Sequence, residues 1–415
     1  MGKRLRRLLG NVSLLTASAM LTWLAVELWL FPRFVRRVPL ALHERIVNQG
    51  VRTLAQSSRS GPLPRDYVAL VGDSYAAGEG DWRLSVDAGG NPPHHSGHLI
   101  HRASGRDVLS FGHAGAGSLR GLVSEPIGQV DYLRRTLCFA IEDPAEILVY
   151  FYEGNDLDDN VADLARRYDP VFERADLYDP ATFRRFLDEV VLATSELARK
   201  AEGFRFHDNF FVARSLRWAW DGYLETGALR DVEPARGPPL EAVPGRSEGE
   251  RTLRVGGEWV KAPVTLQGPS PELDEEEIRA GFYVFEQSLR RLADRFPEAV
   301  LRVLYVPSPL GSYELPEGPV RVQEDHHRDD RSAHFPGSFL RERSDALCAE
   351  LARISARHGR PFRDARPGIR RAGARELLHG PRDWKHFNRA GQEALAREAL
   401  ALLDAAEPGG GCGSG

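Results

Sequence analysis

Residues 67–80 are Tyr-Val-Ala-Leu-Val-Gly-Asp-Ser-Tyr-Ala-Ala-Gly-Glu-Gly. The apolar run that opens this stretch is short and stops at a glycine and an aspartate, which is typical of a buried strand followed by a tight turn. Ser74 stands in that turn among small residues, and small residues let the backbone approach a ligand closely. The stretch therefore predicts a serine at the end of a core strand.

Four further runs have the same composition as the first strand, with β-branched or aromatic residues bounded by turn residues: 107–112, 147–152, 300–307 and 361–364. Amphipathic helical stretches alternate with them at about 119–137, 274–295, 338–357 and 389–404. Strands that alternate with helices and contain few polar positions predict a parallel sheet with both faces covered. The active site of such an α/β fold lies at the carboxyl ends of the strands.

The N-terminal segment, 1–37, predicts a membrane anchor. Basic residues at 3–7 precede an apolar run over about 8–31, which exceeds the roughly 20 residues needed to span a bilayer. A cleaved signal peptide has a shorter apolar region that ends in a small-residue site, but the one Ala-x-Ala motif, at 17–19, lies inside this run. We expect an uncleaved anchor rather than a signal peptide or a buried core helix.

The orientation signal of that anchor is weaker, because arginines also flank its far end at 33–37. We expect a cytoplasmic N-terminal tip and a catalytic domain on the periplasmic or other extracytoplasmic side. The rest of the chain is then divided into a linker at 38–63, a catalytic domain at 64–405 and a flexible tail at 406–415. An insertion at about 160–272 interrupts the strand and helix alternation, and we expect it to form a lid, an acceptor platform or an elaborated surface loop.

The net charge bears on a nucleic-acid partner, and the cysteine spacing bears on metal sites and disulfides. The 415 residues have a formal net charge of -4, so no overall basic field favours a nucleic-acid partner. Cys138, Cys348 and Cys412 have neither metal-ligand nor disulfide-framework spacing, so the cysteines predict no such site and leave the redox compartment open.

A serine hydroxyl becomes a nucleophile only when a nearby base takes its proton. Among 13 histidines, His386 has the most suitable neighbours, because Asp383 precedes it by one turn and can fix the tautomer of the imidazole. Acyl transfer also needs donors aimed at the developing oxyanion. Strand-end positions offer the Ser74 backbone N–H, a glycine within 112–117 after the second strand, and the Asn155 amide after the third.

The order Gly-Asp-Ser, Gly, Gly-Asn-Asp and Asp-x-x-His resembles the SGNH (GDSL) hydrolase superfamily, and its four blocks span 72–386. The resemblance implies a three-layer flavodoxin-like fold with about five parallel strands. Carried over onto this sequence, the resemblance makes Ser74 the nucleophile and Asp383 and His386 the acid–base pair. It makes the Gly115 N–H and the Asn155 amide the oxyanion donors, with the Ser74 N–H as a further donor. Gly117 is the alternative to Gly115. Ser110 replaces an asparagine that often begins the second block, so the local hydrogen bonding is expected to differ from the family pattern.

Two other groups of residues contain side chains of the types that bind metal ions. His94, His95, His98 and His101 have helical spacing, but without a carboxylate partner we expect them to cover a helix surface or line a channel. Glu153, Asp156, Asp158 and Asp159 lack the EF-hand pattern, and we expect a solvated acidic rim. His326 and His327 are expected in a polar loop. We expect neither a cofactor nor a metal.

These residues and the resemblance predict a serine ester hydrolase acting on an acyl ester of a carbohydrate or a lipid. The anchor also makes the chain similar to membrane-tethered bacterial members of the superfamily, some of which add or remove acetyl groups on exported polysaccharides. An O-acyltransferase would use the same triad and differ only in whether a hydroxyl acceptor outcompetes water. A non-catalytic binding or scaffold protein of the same fold is the third alternative.

Overall fold

The computed structural model describes residues 2–30, 33, 40, 56–57, 61, 63–80, 94–136, 139–202, 251–325, 328–405 and 411–412. Most of the predicted linker, the centre of the predicted insertion, most of the tail, Cys138, His326 and His327 lie outside the described residues.

The strands, in chain order, are β1 (Gln56–Ser57), β2 (Val68–Val71), β3 (Val108–Ser110), β4 (Glu146–Tyr152), β5 (Thr252–Val255), β6 (Glu258–Lys261), β7 (Leu266–Gln267), β8 (Val300–Val306), β9 (Pro319–Asp325), β10 (Arg328–Pro336) and β11 (Phe362–Asp364). The described helices are α1 (Lys3–Ala25), α2 (Ser74–Ala77), α3 (Ser96–Ser104), α4 (Glu125–Asp131), α5 (Asp156–Asp163), α6 (Pro180–Phe186), α7 (Glu196–Glu202), α8 (Glu275–Arg295), α9 (Gly337–Arg357), α10 (Arg366–Gly373) and α11 (Arg389–Leu403). Wider π-type turns extend α1, α5 and α6 and flank α4, over Val26–Leu30, Leu164–Tyr168, Leu187–Leu192, Leu119–Ser124 and Tyr132–Thr136.

The central sheet has the order β1-β3-β2-β4-β8-β11. All strands after the antiparallel edge strand β1 run parallel to one another. Numbered along the chain, the five parallel strands therefore have the order 2-1-3-4-5. The chain is α/β with a five-stranded parallel sheet, as predicted, and each predicted strand coincides with one of these five.

Helices cover both faces of this sheet, which makes three layers. Successive side chains of a strand point to opposite faces. On β4, Ile147, Val149 and Phe151 pack into one core with α8 and α9, whereas Leu148, Tyr150 and Tyr152 pack into the other with α3, α10 and α11. Both cores consist of buried side chains, and those of β4 at 147–152 are at most 2% exposed, so close packing on both faces holds this strand in place.

The described parts of the predicted insertion have regular structure. Residues 160–202 are mostly helical, with turns between the helices, and pack Phe183, Phe186 and Val191 into the core on the α8 side. Residues 251–267 contain an antiparallel hairpin of β5 and β6, followed by β7, which pairs with β9 in a sheet of order β10-β9-β7. The sequence analysis predicted neither these small sheets nor α10.

The N-terminal helix meets the requirements of a membrane span. The segment Arg7–Leu30 has 24 residues and contains an 18-residue window with a mean hydropathy of 1.5, and no residue of that window is buried. By length and composition it can cross a membrane.

A disulfide joins Cys348 of α9 to Cys412, with a Cα–Cα distance of 6.0 Å and a sequence separation of 64. The cysteine spacing matches no disulfide framework, so the sequence analysis did not predict this bond. Cys348 is fully buried, and the chain after α11 returns to α9 to reach it. That return is a tertiary event with no local sequence pattern.

Candidate active site

Ser74 lies at the carboxyl edge of the sheet, three residues after the last residue of β2. Gly72 has φ 140°, and a Cβ there would lie 2.6 Å from the Tyr150 carbonyl oxygen, so the chain turns sharply at a position that requires glycine. The Asp73 carboxylate then accepts a hydrogen bond from the Tyr75 N–H at 2.9 Å and caps α2. Ser74 is thus the first residue of a short helix.

His386 connects Ser74 to Asp383. Its Nε2 lies 2.9 Å from the Ser74 Oγ, although 312 residues separate the two, and its Nδ1 lies 2.7 Å from the Asp383 Oδ2. Because the carboxylate accepts the proton on Nδ1, the network assigns Nε2 as the acceptor of the serine proton. The backbone N–H groups of Lys385 and His386 donate to the other carboxylate oxygen at 2.9 and 3.1 Å.

The surroundings of this pair adjust both pKa values. Burial lowers the pKa of His386, but the hydrogen bond and negative charge of Asp383 outweigh burial and raise it above its ordinary value. Burial likewise opposes ionisation of Asp383, but the hydrogen bond and charge of His386, helped by the two backbone donors, lower its pKa. An ionised aspartate beside a more basic imidazole is the electrostatic arrangement of a general base.

The loop that carries the pair, 377–388, is anchored on both sides. The Tyr75 hydroxyl of α2 donates to the Lys385 carbonyl at 2.8 Å, and the Phe387 ring packs edge-on against Tyr75 at 5.1 Å. On the opposite side the Tyr313 hydroxyl contacts Leu378 N at 2.8 Å and His379 Nδ1 at 2.9 Å. Burial lowers the pKa of His379 to about 3, so this second histidine stays neutral.

Three hydrogen-bond donors that follow neighbouring strands are unused. Neither the Ser74 N–H, the Gly115 N–H nor the Asn155 side-chain amide donates a hydrogen bond within the described chain. They follow β2, β3 and β4, which are neighbours in the order β3-β2-β4. Such donors at one sheet edge can stabilise negative charge on an oxygen.

The structure distinguishes the two candidate glycines of the second block. Gly115 is exposed and has φ 64°, and a Cβ there would meet nothing within 4 Å. Gly117 is buried, and a Cβ there would lie 2.8 Å from the Asp159 Cβ. Gly117 therefore packs against α5, and Gly115 is the one whose backbone a ligand can reach.

Ser110 makes a local hydrogen bond in place of the expected asparagine. Its hydroxyl donates to the Ala76 carbonyl at 2.6 Å and accepts from Gly112 N at 3.2 Å. His95 Nε2 lies 3.0 Å from the same carbonyl. Both side chains thus hold α2 in place. His95 belonged to a histidine group that the sequence analysis set aside. It named Ser110 only as a departure from the pattern of the second block, and it did not single out Tyr75 or Tyr313.

The predicted solvated acidic rim is wrong for most of its members. Glu153, Asp156 and Asp159 are 0, 5 and 1% exposed, because they directly follow a central strand and lie beneath neighbouring elements. The Glu153 carboxylate binds the Tyr305 hydroxyl at 2.5 Å and Ser308 N at 2.8 Å. Burial raises the pKa of Asp156 well above its ordinary value.

The histidine group differs in part from its prediction. His98 and His101 do lie on a helix, α3, but His95 caps that helix by accepting from Gly97 N at 2.8 Å and is fully buried. Within the described residues, one set of side chains has ligand atoms close enough for a metal: Cys348, Asp364 and Cys412. The two cysteines of that set form the disulfide, so they offer no thiolate.

Comparison of the chain with protein-family models, with curated proteins and with solved structures finds no match. Inference about function therefore depends on the geometry of the site and on the sequence motifs.

Proposed function

We propose that this chain is a serine ester hydrolase. The observation that carries the proposal is the continuous hydrogen-bonded series from Ser74 Oγ through His386 to Asp383, at 2.9 and 2.7 Å. A nucleophile, a base and a group that orients the base are the three parts of a catalytic triad. Unused donors at the ends of the adjoining strands supply the fourth requirement, an oxyanion site.

Ser74 Oγ attacks the ester carbonyl carbon while His386 Nε2 takes the serine proton, and Asp383 stabilises the imidazolium. The N–H groups of Ser74 and Gly115 and the Asn155 amide hold the oxyanion, and each such donor typically stabilises the transition state by ~2.7–4 kcal/mol. His386 then returns the proton to the leaving alcohol, which leaves an acyl group on Ser74 Oγ. A water deprotonated by His386 attacks that acyl carbon, the bond from this carbon to Ser74 Oγ breaks to release the carboxylic acid, and His386 returns its proton to Ser74 Oγ.

The fold and motifs support assignment to the SGNH type. The strand order 2-1-3-4-5 is that of flavodoxin-like doubly wound sheets, in which ligands bind at the carboxyl ends of the strands. Ser74, Gly115, Asn155 and the Asp383–His386 pair all stand at that edge or in a loop against it. The order of these residues along the chain is the one the superfamily resemblance implies.

The location we propose is extracytoplasmic, with α1 as a membrane anchor. A disulfide persists in oxidising compartments and is rare in the cytosol, so the Cys348–Cys412 bond favours a catalytic domain on the outer side. Acyl esters in such a location include those on cell-surface carbohydrate, and we propose an acetylated carbohydrate as the substrate class.

The proposal is tested by hydrolysis of p-nitrophenyl acetate and longer esters by the full-length chain in detergent. We expect Ser74→Ala to abolish release of p-nitrophenol and to leave the unfolding midpoint close to that of the parent. Ser338→Ala, which changes an exposed serine near the start of α9, is the matched control and should keep full activity. Equal rates in the parent and Ser74→Ala would refute the proposal, and acylation of an added oligosaccharide would indicate the transferase.

A further inference from the structure

A cavity of about 1050 Å³ opens beyond the triad, at the ends of β8 and β11. Its walls come from the residues after β8, the starts of α9 and α10, and the β5–β6 hairpin of the insertion. Small-molecule sites typically have volumes of about 300–1,000 Å³, so this cavity can hold more than one sugar-sized group. None of its lining residues belongs to the triad or the oxyanion donors.

Two half-buried arginines line this cavity without an acidic partner. Arg341 of α9 forms no ion pair or hydrogen bond with any described residue. The Nε of Arg370 on α10 donates to the Gly311 carbonyl at 3.0 Å, which fixes the side chain but leaves its other nitrogens unused within the described chain. A partly desolvated guanidinium without an anion is costly, and carboxylates match its geometry.

The other charges of the cavity do not neutralise these two. Arg254 is paired with Glu314 at 3.0 Å, so that pair contributes no net charge. Arg371 is largely exposed and lies 3.8 Å from Glu398. Glu317 is exposed at the rim and forms no ion pair with a described residue. The interior of the cavity is therefore positive, although the whole chain is slightly negative.

An aromatic wall stands within the same cavity. Trp259, on β6, is half-buried and lines it together with Tyr313. A flat aromatic ring offers a large apolar face, and one face of a pyranose ring is formed by C–H groups that pack well on it. A ring surface and guanidinium groups in one cavity match a sugar that bears a carboxylate.

The cavity adjoins the catalytic loop. Tyr313 forms part of its wall, and the same hydroxyl contacts Leu378 N and His379 Nδ1 at 2.8 and 2.9 Å. The His379 ring packs at a tilt against Phe387, which follows His386 in the chain, with ring centroids 4.9 Å apart. A polymer held in the cavity would thus continue along the sheet edge toward Ser74.

We propose that this cavity is a subsite for an acidic carbohydrate chain, in which Arg341 and Arg370 bind a carboxylate and Trp259 packs against a sugar ring. The inference rests on the proposed function for the identity of the ester-bearing polymer, but binding can be measured without turnover. It identifies the substrate class as acylated polysaccharide containing uronic acids.

The test is calorimetric binding of hexagalacturonate in nonionic detergent to the full-length Ser74→Ala chain, which lacks the proposed nucleophile, with the fully methyl-esterified form as the uncharged control. The other variants are made in this background, and the parent chain is measured with the acid alone. We expect the acid to bind, the ester to bind at least about tenfold more weakly, and the affinity for the acid to fall as salt is raised. Arg341→Gln and Arg370→Gln should each weaken binding of the acid by about tenfold or more, and Trp259→Ala should weaken both ligands.

Arg353→Gln is the matched control, since Arg353 is an exposed arginine on α9 that pairs with Glu350, and it should bind like the parent. Ser74→Ala should also bind the acid like the parent. If the parent binds the acid but hydrolyses no ester, the subsite proposal stands and the proposed hydrolase function is contradicted. Equal binding of acid and ester, or unchanged binding in both arginine variants, would overturn the inference. So would tight binding of anionic lipid vesicles that the arginine variants abolish, because it would assign the cavity to a lipid headgroup.

Discussion

The two ring nitrogens of His386 contact different residues, since Nδ1 lies 2.7 Å from the Asp383 Oδ2 and Nε2 lies 2.9 Å from the Ser74 Oγ. The Asp383 carboxylate also accepts two backbone N–H groups, so it cannot rotate without losing bonds at 2.9 and 3.1 Å. A fixed carboxylate fixes the tautomer, and the tautomer decides which nitrogen takes the serine proton.

The pH dependence of turnover follows from this arrangement. Only the neutral imidazole accepts a proton, and Asp383 raises the pKa of His386 above its ordinary value of about 6.5 despite burial. We therefore expect kcat/KM for p-nitrophenyl acetate to rise with pH through a midpoint above about 6.5, because kcat/KM reports the free enzyme. A midpoint well below that value would contradict the assignment.

Asp383→Asn removes the charge and the hydrogen bond that raise the pKa of His386, while burial continues to lower it. We expect the midpoint of the pH profile to move to lower pH and kcat to fall on the order of 10³–10⁴-fold. The profile and the unfolding midpoint are measured on the same preparation, and a variant with unshifted profile and full activity would exclude Asp383 from the triad.

Asn155 provides the most specific test of the oxyanion site. Asn155→Ala removes one donor without touching the triad, so we expect kcat to fall about 10²–10³-fold with little change in KM. Asn155→Asp is the near-isosteric comparison, and it should be at least as inactive because a carboxylate repels an oxyanion. Full activity in either variant, measured by steady-state kinetics, would remove Asn155 from the mechanism.

Among the elements, α2 and the loop 377–388 must hold their relative positions for Ser74 and His386 to meet. The hydrogen bond from the Tyr75 hydroxyl to the Lys385 carbonyl at 2.8 Å joins them directly. We expect Tyr75→Phe to reduce kcat and to cost about 1 kcal/mol of unfolding free energy.

Tyr67→Phe is the matched control for that loop prediction. It also removes one hydroxyl, which donates to the Glu142 carbonyl at 3.2 Å. Tyr67 directly precedes β2 and so lies away from the carboxyl ends of the strands, where Ser74 lies. We expect this variant to show a stability loss no larger than that of Tyr75→Phe and unchanged kcat. Equal kcat values for both variants would show that the Tyr75 contact does not position the loop.

The sequence predicts the main elements well, since their signals are local. The five parallel strands are short apolar runs, and α8 is preceded by its N-cap Asp274, whose side chain forms a capping box with Glu277. The sequence also identifies three candidate site residues, Ser74, Asp383 and His386, because the motifs that contain them follow a strand or precede α11. Elements with weak local patterns were missed, namely β5–β7, the β9–β10 hairpin and α10.

Features that depend on the whole molecule could not be read from the sequence. Glu153 looks like a surface acid in its polar segment, but Tyr305, Ser308 and Ser344 come from distant parts of the chain to bind it. The cavity at the ends of β8 and β11 likewise needs the hairpin, α9 and α10 together.

The Cys348–Cys412 disulfide closes a loop with a sequence separation of 64. We expect Cys412→Ser to lower the free energy of unfolding by about 2–4 kcal/mol and to leave ester turnover unchanged, because the bond lies outside the site. Reductant should destabilise the parent to the same extent and should not affect the variant. Free thiols at both positions in parent protein secreted into an oxidising compartment would contradict the bond.

The central claim is that Ser74 is a nucleophile activated by His386, and covalent labelling tests it most directly. A fluorophosphonate forms a P–O bond with an activated serine and releases fluoride, and peptide mass spectrometry locates the adduct. We predict one adduct, on the peptide that contains Ser74, which disappears in Ser74→Ala and in His386→Ala and persists in Ser338→Ala. An unlabelled parent chain, an adduct on another residue, or undiminished labelling of Ser74 without His386 would contradict the account.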